Sequence, residues 1–223
     1  MAGMSNRHPS PLPDVAGDAV ALARPLDWVG MDHIALPVRI PDGAGGQLQV
    51  AADIDVAVNL GNADARGIHM SRLYLQLQDG LAREAITPAG LRHLLQDGIA
   101  SQQGLATQAR LRIRYDALLQ RPALESGFSG WKRYPVEIEA TLAEGHFRIA
   151  LAFEVEYSST CPASAALSRQ ANAERFAEDF AAARRVASVL ANDPRVERYD
   201  VTVSHFESLH PHDAVARVSG INI

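Results

Sequence analysis

The chain has 223 residues, of which 47% are hydrophobic and 21% charged, and carries a formal net charge of −5. That balance suits a soluble globular protein with a sizeable core and argues against a broad basic surface for nucleic acid or membrane, while a few placed arginines could still hold a small anionic substrate. The single cysteine, Cys161, forbids an intrachain disulfide and fits a reducing compartment, and no apolar run approaches the ~18 residues of a membrane span.

Residues 1–27 read as a flexible arm, broken by Pro9, Pro11 and Pro13 and without the apolar centre of a secretion signal, as in a cytoplasmic protein. Ile34, Leu36 and Val38 then alternate, and after a loop at 41–46 the segment Gln47–Leu60 keeps Leu48, Val50, Ala52, Ile54, Val56 and Val58 on one side. This period of two predicts a strand hairpin. The period changes at Met70, where Leu73, Leu77 and Leu81 recur as on a helix. Thr87-Pro88 reads as an N-cap with proline at the first helical position, opening a second helix through Leu91, Leu94, Leu95 and Ile99 that ends near Gly104.

Strands return after the helices. Leu111, Ile113 and Tyr115 alternate with Arg110, Arg112 and Arg114; Val136, Ile138, Ala140 and Leu142 alternate with Glu137, Glu139 and Thr141. A third run spans Phe147 to Tyr157, joined to the second by a tight turn at Glu144-Gly145. The arginine stripe reads first as the wet face of an antiparallel sheet, with phosphate binding as the alternative. The order strand pair, helix pair, further strands predicts an α+β architecture with an antiparallel sheet and paired helices on one face. The tail differs. An alanine-rich helix over 171–191 buries Phe176, Phe180, Ala183, Ala187 and Leu190 and stops at Asn192-Asp193-Pro194. A strand from Arg198 to Phe206, a polar knot from Glu207 to His212 and a further extended stretch at 214–218 complete it.

Three segments carry chemistry. Residues 66–74 (RGIHMSRLY) join a strand to a helix start, where His69, Ser71, Arg72 and backbone N–H groups could meet an anion; an ordinary junction fits the spacing as well. Cys161 sits in 158–164 (SSTCPAS) after a strongly apolar strand, where a thiolate makes a good metal ligand and a buried structural thiol is the bland alternative. Residues 206–212 (FESLHPH) place Glu207, His210 and His212 within one short stretch, residue types of hydrolytic metal sites and also of solvated turns. Pro211 favours a bend or sheet edge there.

These strings, with Trp28-Val29-Gly30-Met31 and Pro13-Asp14-Val15, stand in the order found in type IB GTP cyclohydrolases, and the likeness runs from about residue 12 to residue 216. The resemblance implies the tunnelling fold, present twice per chain: a first repeat over 28–160 and a second over 161–223. It further implies sheets joined between subunits, usually in a homotetramer, and hydrolysis of GTP to formate and 7,8-dihydroneopterin triphosphate at the head of folate synthesis. A divalent metal, zinc or manganese, would be held by Cys161, Glu207 and His210. Cys161 and His212 would act in catalysis, and His69, Ser71 and Arg72 would bind substrate.

Two departures qualify that implication. The family pattern Cys-Pro-Cys-Ser is here Cys161-Pro162-Ala163-Ser164, so the second thiol is a methyl group. The family's next histidine also has no counterpart, because residues 165–190 contain none. Several dozen residues of the second repeat, including a metal ligand, are therefore expected to be missing. A degenerate homologue that binds or assembles without turnover, a ligand supplied by a neighbouring subunit, and a segment lost from the sequence as numbered are the three explanations.

Overall fold

Alternation along the strands marks which residues face the core; the computed structural model follows it over residues 52–60, 109–115 and 134–142, whereas the apolar run from Phe147 is a strand only to Phe153 and leaves Ile149, Leu151 and Phe153 exposed. The structure describes residues 16–19, 21–42, 45–83, 85–122, 127–156, 181–205 and 214–222. Two compact units divide the chain, Met1–Val155 and Glu156–Ile223.

In the first unit, β1 (Leu26–Pro41), β2 (Gln47–Leu60), β3 (Ala109–Pro122), β4 (Ser129–Ala143) and β5 (His146–Phe153) form one sheet in the order β1-β2-β3-β4-β5, every pair antiparallel. Helices α1 (Met70–Arg83) and α2 (Pro88–Ser101) interrupt the meander between β2 and β3. Both lie on one face, where Leu73, Leu77 and Leu81 of α1 and Leu91 and Leu95 of α2 pack with Ile54, Val56, Leu111, Ile113 and Ala140. The expected α+β arrangement of an antiparallel sheet with paired helices on one side is thus present. Thr87 caps α2 as anticipated, its Oγ1 accepting from the Gly90 N–H at 3.0 Å.

Turn chemistry sets the β4–β5 connection. Glu144 and Gly145 both have positive φ, 53° and 77°, as a two-residue primed turn requires. Gly30 has a different reason: its backbone meets β2 so closely that an added Cβ would collide with the Val56 carbonyl and with Ala57.

Strand β1 begins eight residues before the alternation at Ile34 reveals it. Its register shifts between Met31 and Ile34, and His33 takes a left-handed conformation with φ 58°. A bulge adds a residue and resets which face each side chain addresses, so a simple period of two cannot cross it.

The second unit contains α3 (Ala181–Ala191) and a hairpin of β6 (Arg198–His205) and β7 (Ala214–Ile221). Ala183 and Ala187 are buried as the helical stripe predicts; Phe176 and Phe180 lie outside the described residues. The helix end is tied by Asn222, whose Nδ2 donates to the carbonyls of Leu190 at 2.9 Å and Val196 at 2.7 Å.

Candidate functional site

The segment before α1 is extended and fastened at several points. Gly61 donates to the Leu105 carbonyl at 3.3 Å, Ala65 bridges to Ala19, and Gly67 donates to the Ala16 carbonyl at 3.1 Å. The His69 carbonyl then accepts from Leu73 N–H at 3.1 Å, which starts the helix. His69 is half-buried, Ser71 exposed and Arg72 half-buried in the first turn, so the three residues expected at a strand-to-helix junction do share one. No acidic side chain occupies that turn. The positive end of the helix dipole favours negative charge there.

Cys161, Glu207, His210 and His212 lie outside the described residues. The thiol segment follows β5 in the chain, and 206–212 belongs to the connection between β6 and β7, whose last described pair is His205 with Ala214.

Sequence reading passed over a polar constellation on the sheet face opposite the helices. Asp53 and Asp55 on β2 stand beside Arg114 on β3. The Arg114 Nη1 and Nη2 atoms each donate to Asp55 at 2.7 Å, while Nε donates to Asp53 at 3.1 Å and Nη2 contacts the same Asp53 oxygen. His33, turned by the bulge, donates its backbone N–H to Asp55 at 3.0 Å and sets Nδ1 3.2 Å from Asp53 Oδ2. Hydrogen bonding to Arg114 holds the Asp55 carboxyl at about 2, well below the usual carboxylate range, and lowers Asp53 as well.

The ligand atoms of His33, Asp53 and Asp55 lie within 4.8 Å of one another, near enough to surround a cation. The donor chemistry speaks against one. A guanidinium already engages both carboxylates, and a metal ion would have to displace it. The cluster fits an ion-pair network better than a metal centre. The other arginines of the stripe are similarly engaged: Arg112 donates to Glu139 at 3.1 Å, and the Arg110 guanidinium lies 4.8 Å from the Trp28 ring centroid. The stripe is the wet face of the sheet. The signal that could have found the cluster was available in Asp53-x-Asp55, two acids on the polar face of a strand whose neighbour carries arginines at the same spacing.

A family model described as type I GTP cyclohydrolase folE2 matches residues 12–174 and 171–216. The chain belongs to that family. Among curated FolE2 relatives, the GTP cyclohydrolase FolE2 of Pseudomonas putida (strain GB-1) is 44% identical over 169 residues, covering 76% of this chain and 54% of the relative. That of Delftia acidovorans (strain DSM 14801 / SPH-1) is 49% identical over 176 residues, covering 77% of this chain and 59% of the relative. The chain therefore spans less than two thirds of the length of these FolE2 proteins. No helix among the described residues is long and apolar enough to cross a membrane.

Proposed function

We propose that this chain hydrolyses GTP to formate and 7,8-dihydroneopterin triphosphate, supplying the pterin of folate synthesis in the cytoplasm. The observation that carries the reading is the family match across residues 12–174 and 171–216, which takes in all three chemical segments. On this reading the sheet and helix pair of the first unit are one tunnelling-fold repeat, 28–160, and 161–223 is a shortened second repeat. The two matched spans overlap at 171–174, where a segment of the second repeat was expected to be missing. That break supports a lost internal segment. Subunits would associate through their sheets, as a homotetramer, and no nucleic acid or membrane would take part.

Cys161, Glu207 and His210 would hold zinc or manganese: a thiolate, a carboxylate and an imidazole make three protein ligands, the number usual for catalytic zinc. The bound ion supplies Lewis acidity, which makes hydrolysis accessible near neutral pH. Around it, His212 relays protons as the imidazole ring of guanine opens and formate departs. The first turn of α1 receives the anionic part of the substrate through Ser71 and Arg72, with His69 beside them.

Ala163 favours a second reading, a homologue that binds GTP or assembles without turnover, because a methyl group neither donates a proton nor attacks. One assay separates the two. GTP is incubated with the folded chain and Zn or Mn, and pterin fluorescence is followed. Turnover that disappears in Cys161→Ala supports the enzyme; a flat trace with folded, metal-loaded protein leaves the binding homologue.

A further inference from the structure

Amide side chains are rarely enclosed completely, because each must find partners for two donors and an acceptor. Gln102 is fully buried, and it is the one polar or charged residue so enclosed among the described residues. It follows the last residue of α2, and the chain reverses directly after it through Gln103 and Gly104, both at positive φ. Its Oε1 accepts from the His69 backbone N–H at 2.7 Å. Its Nε2 donates to the His69 carbonyl at 3.4 Å and to Ser101 Oγ at 2.8 Å, and Ser101 Oγ donates in turn to the Gly98 carbonyl at 2.7 Å.

A primary amide that engages both the N–H and the C=O of one residue does what a neighbouring β-strand does. It fixes the position of that peptide and also its orientation. The His69 carbonyl is at the same time the acceptor that starts α1. The Gln102 side chain therefore ties the first turn of α1, with Ser71 and Arg72, to the end of α2.

We infer that Gln102 is a positioning residue for the substrate segment His69–Arg72, acting through the His69 backbone and touching no substrate itself. The inference rests on the reading that this segment receives GTP. A burial-only role would link the two helices without governing the segment, and the two roles differ in what they move.

The test uses the full chain with Gln102→Met, an apolar near-isostere, and Gln102→Glu, which keeps the acceptor for His69 N–H. Amide hydrogen exchange is measured at His69 and along α2, and affinity for a fluorescent N-methylanthraniloyl GTP is titrated. In Gln102→Met the His69 amide should exchange roughly tenfold faster, about the worth of one buried hydrogen bond, while the amides of Leu95 and Ile99 keep their protection. Nucleotide affinity should fall by a similar factor, with Gln102→Glu intermediate in both readouts. Unchanged exchange at His69 overturns the clamp. Faster exchange throughout both helices reduces Gln102 to general helix packing, and a freed His69 with undiminished affinity removes its positioning role. Should Gln102→Met fail to fold by circular dichroism, Gln102→Glu carries the same comparison. An unmodified chain that binds no nucleotide strikes out the functional reading and the substrate half of the inference together, and the exchange measurement still decides the clamp.

Discussion

Successive residues of β3 meet opposite surroundings. Leu111 and Ile113 are enclosed beneath α1 and α2, whereas Arg112 and Arg114 stand on the far face among Asp53, Asp55, Glu137 and Glu139. The two faces are built from the same strands and the same register, and they contribute differently. Apolar burial scales with area removed from water and leaves a cavity when trimmed. Ion pairs in contact with solvent gain little, because water already stabilises each charge. The helix-covered face therefore sets register and stability: a one-residue slip would turn Leu111 and Ile113 out to water and Arg112 and Arg114 into the core. The charged face follows that register and refines it.

The contrast can be broken by substitution. Ile113→Ala, at a fully enclosed site, should cost about 2–5 kcal/mol in urea unfolding. A loss no greater than that of a surface change would mean the helices do not seal this face. Arg114→Met tests the most enclosed pair on the other side, and its cost at neutral pH should fall between the surface and buried limits, about 1–3 kcal/mol. Its pH dependence is the sharper measure. The Asp55 carboxyl is depressed to about 2 in the folded chain, so its contribution is complete above the ordinary carboxylate range near ~4 and drains away as pH falls toward 2. The gap between wild type and Arg114→Met should accordingly narrow over that acidic interval, and carboxyl NMR should show Asp55 titrating at higher pH in the variant. A gap of constant size from neutral to acid pH would assign the loss to packing of the arginine stem. Arg112→Met is the smallest case. Its partners are nearly half exposed, so the unfolding midpoint should move by no more than about 1 kcal/mol, and added salt should shrink the difference further.

Much of this fold could be read along the chain, for reasons visible at particular residues. Gln47–Leu60 is one uninterrupted alternation, and its strand has those bounds. The four-residue recurrence of Leu73, Leu77 and Leu81 and the Thr87-Pro88 cap locate both helices. The first part of β1 escaped because His33 occupies a bulge, and a bulge erases the periodicity by which strands are recognised. Of the candidate site, the junction bearing His69, Ser71 and Arg72 was legible because the change from period two to period 3.6 falls there. The strings proposed to hold a metal were recognised by their likeness to a family, and they lie outside the described residues.

Local pattern alone determined the helix pair, the face that β2, β3 and β4 turn toward the helices, and the family to which the segments 66–74, 158–164 and 206–212 belong. These properties are written in neighbouring residues and in strings long enough to be specific. The tertiary structure decided what depends on partners distant in sequence. It paired Arg114 with Asp53 and Asp55 across β3 and β2, and it brought Gln102 from the end of one helix to the peptide that begins another. No local period encodes such meetings, because they arise only when the sheet and helices close around a shared core.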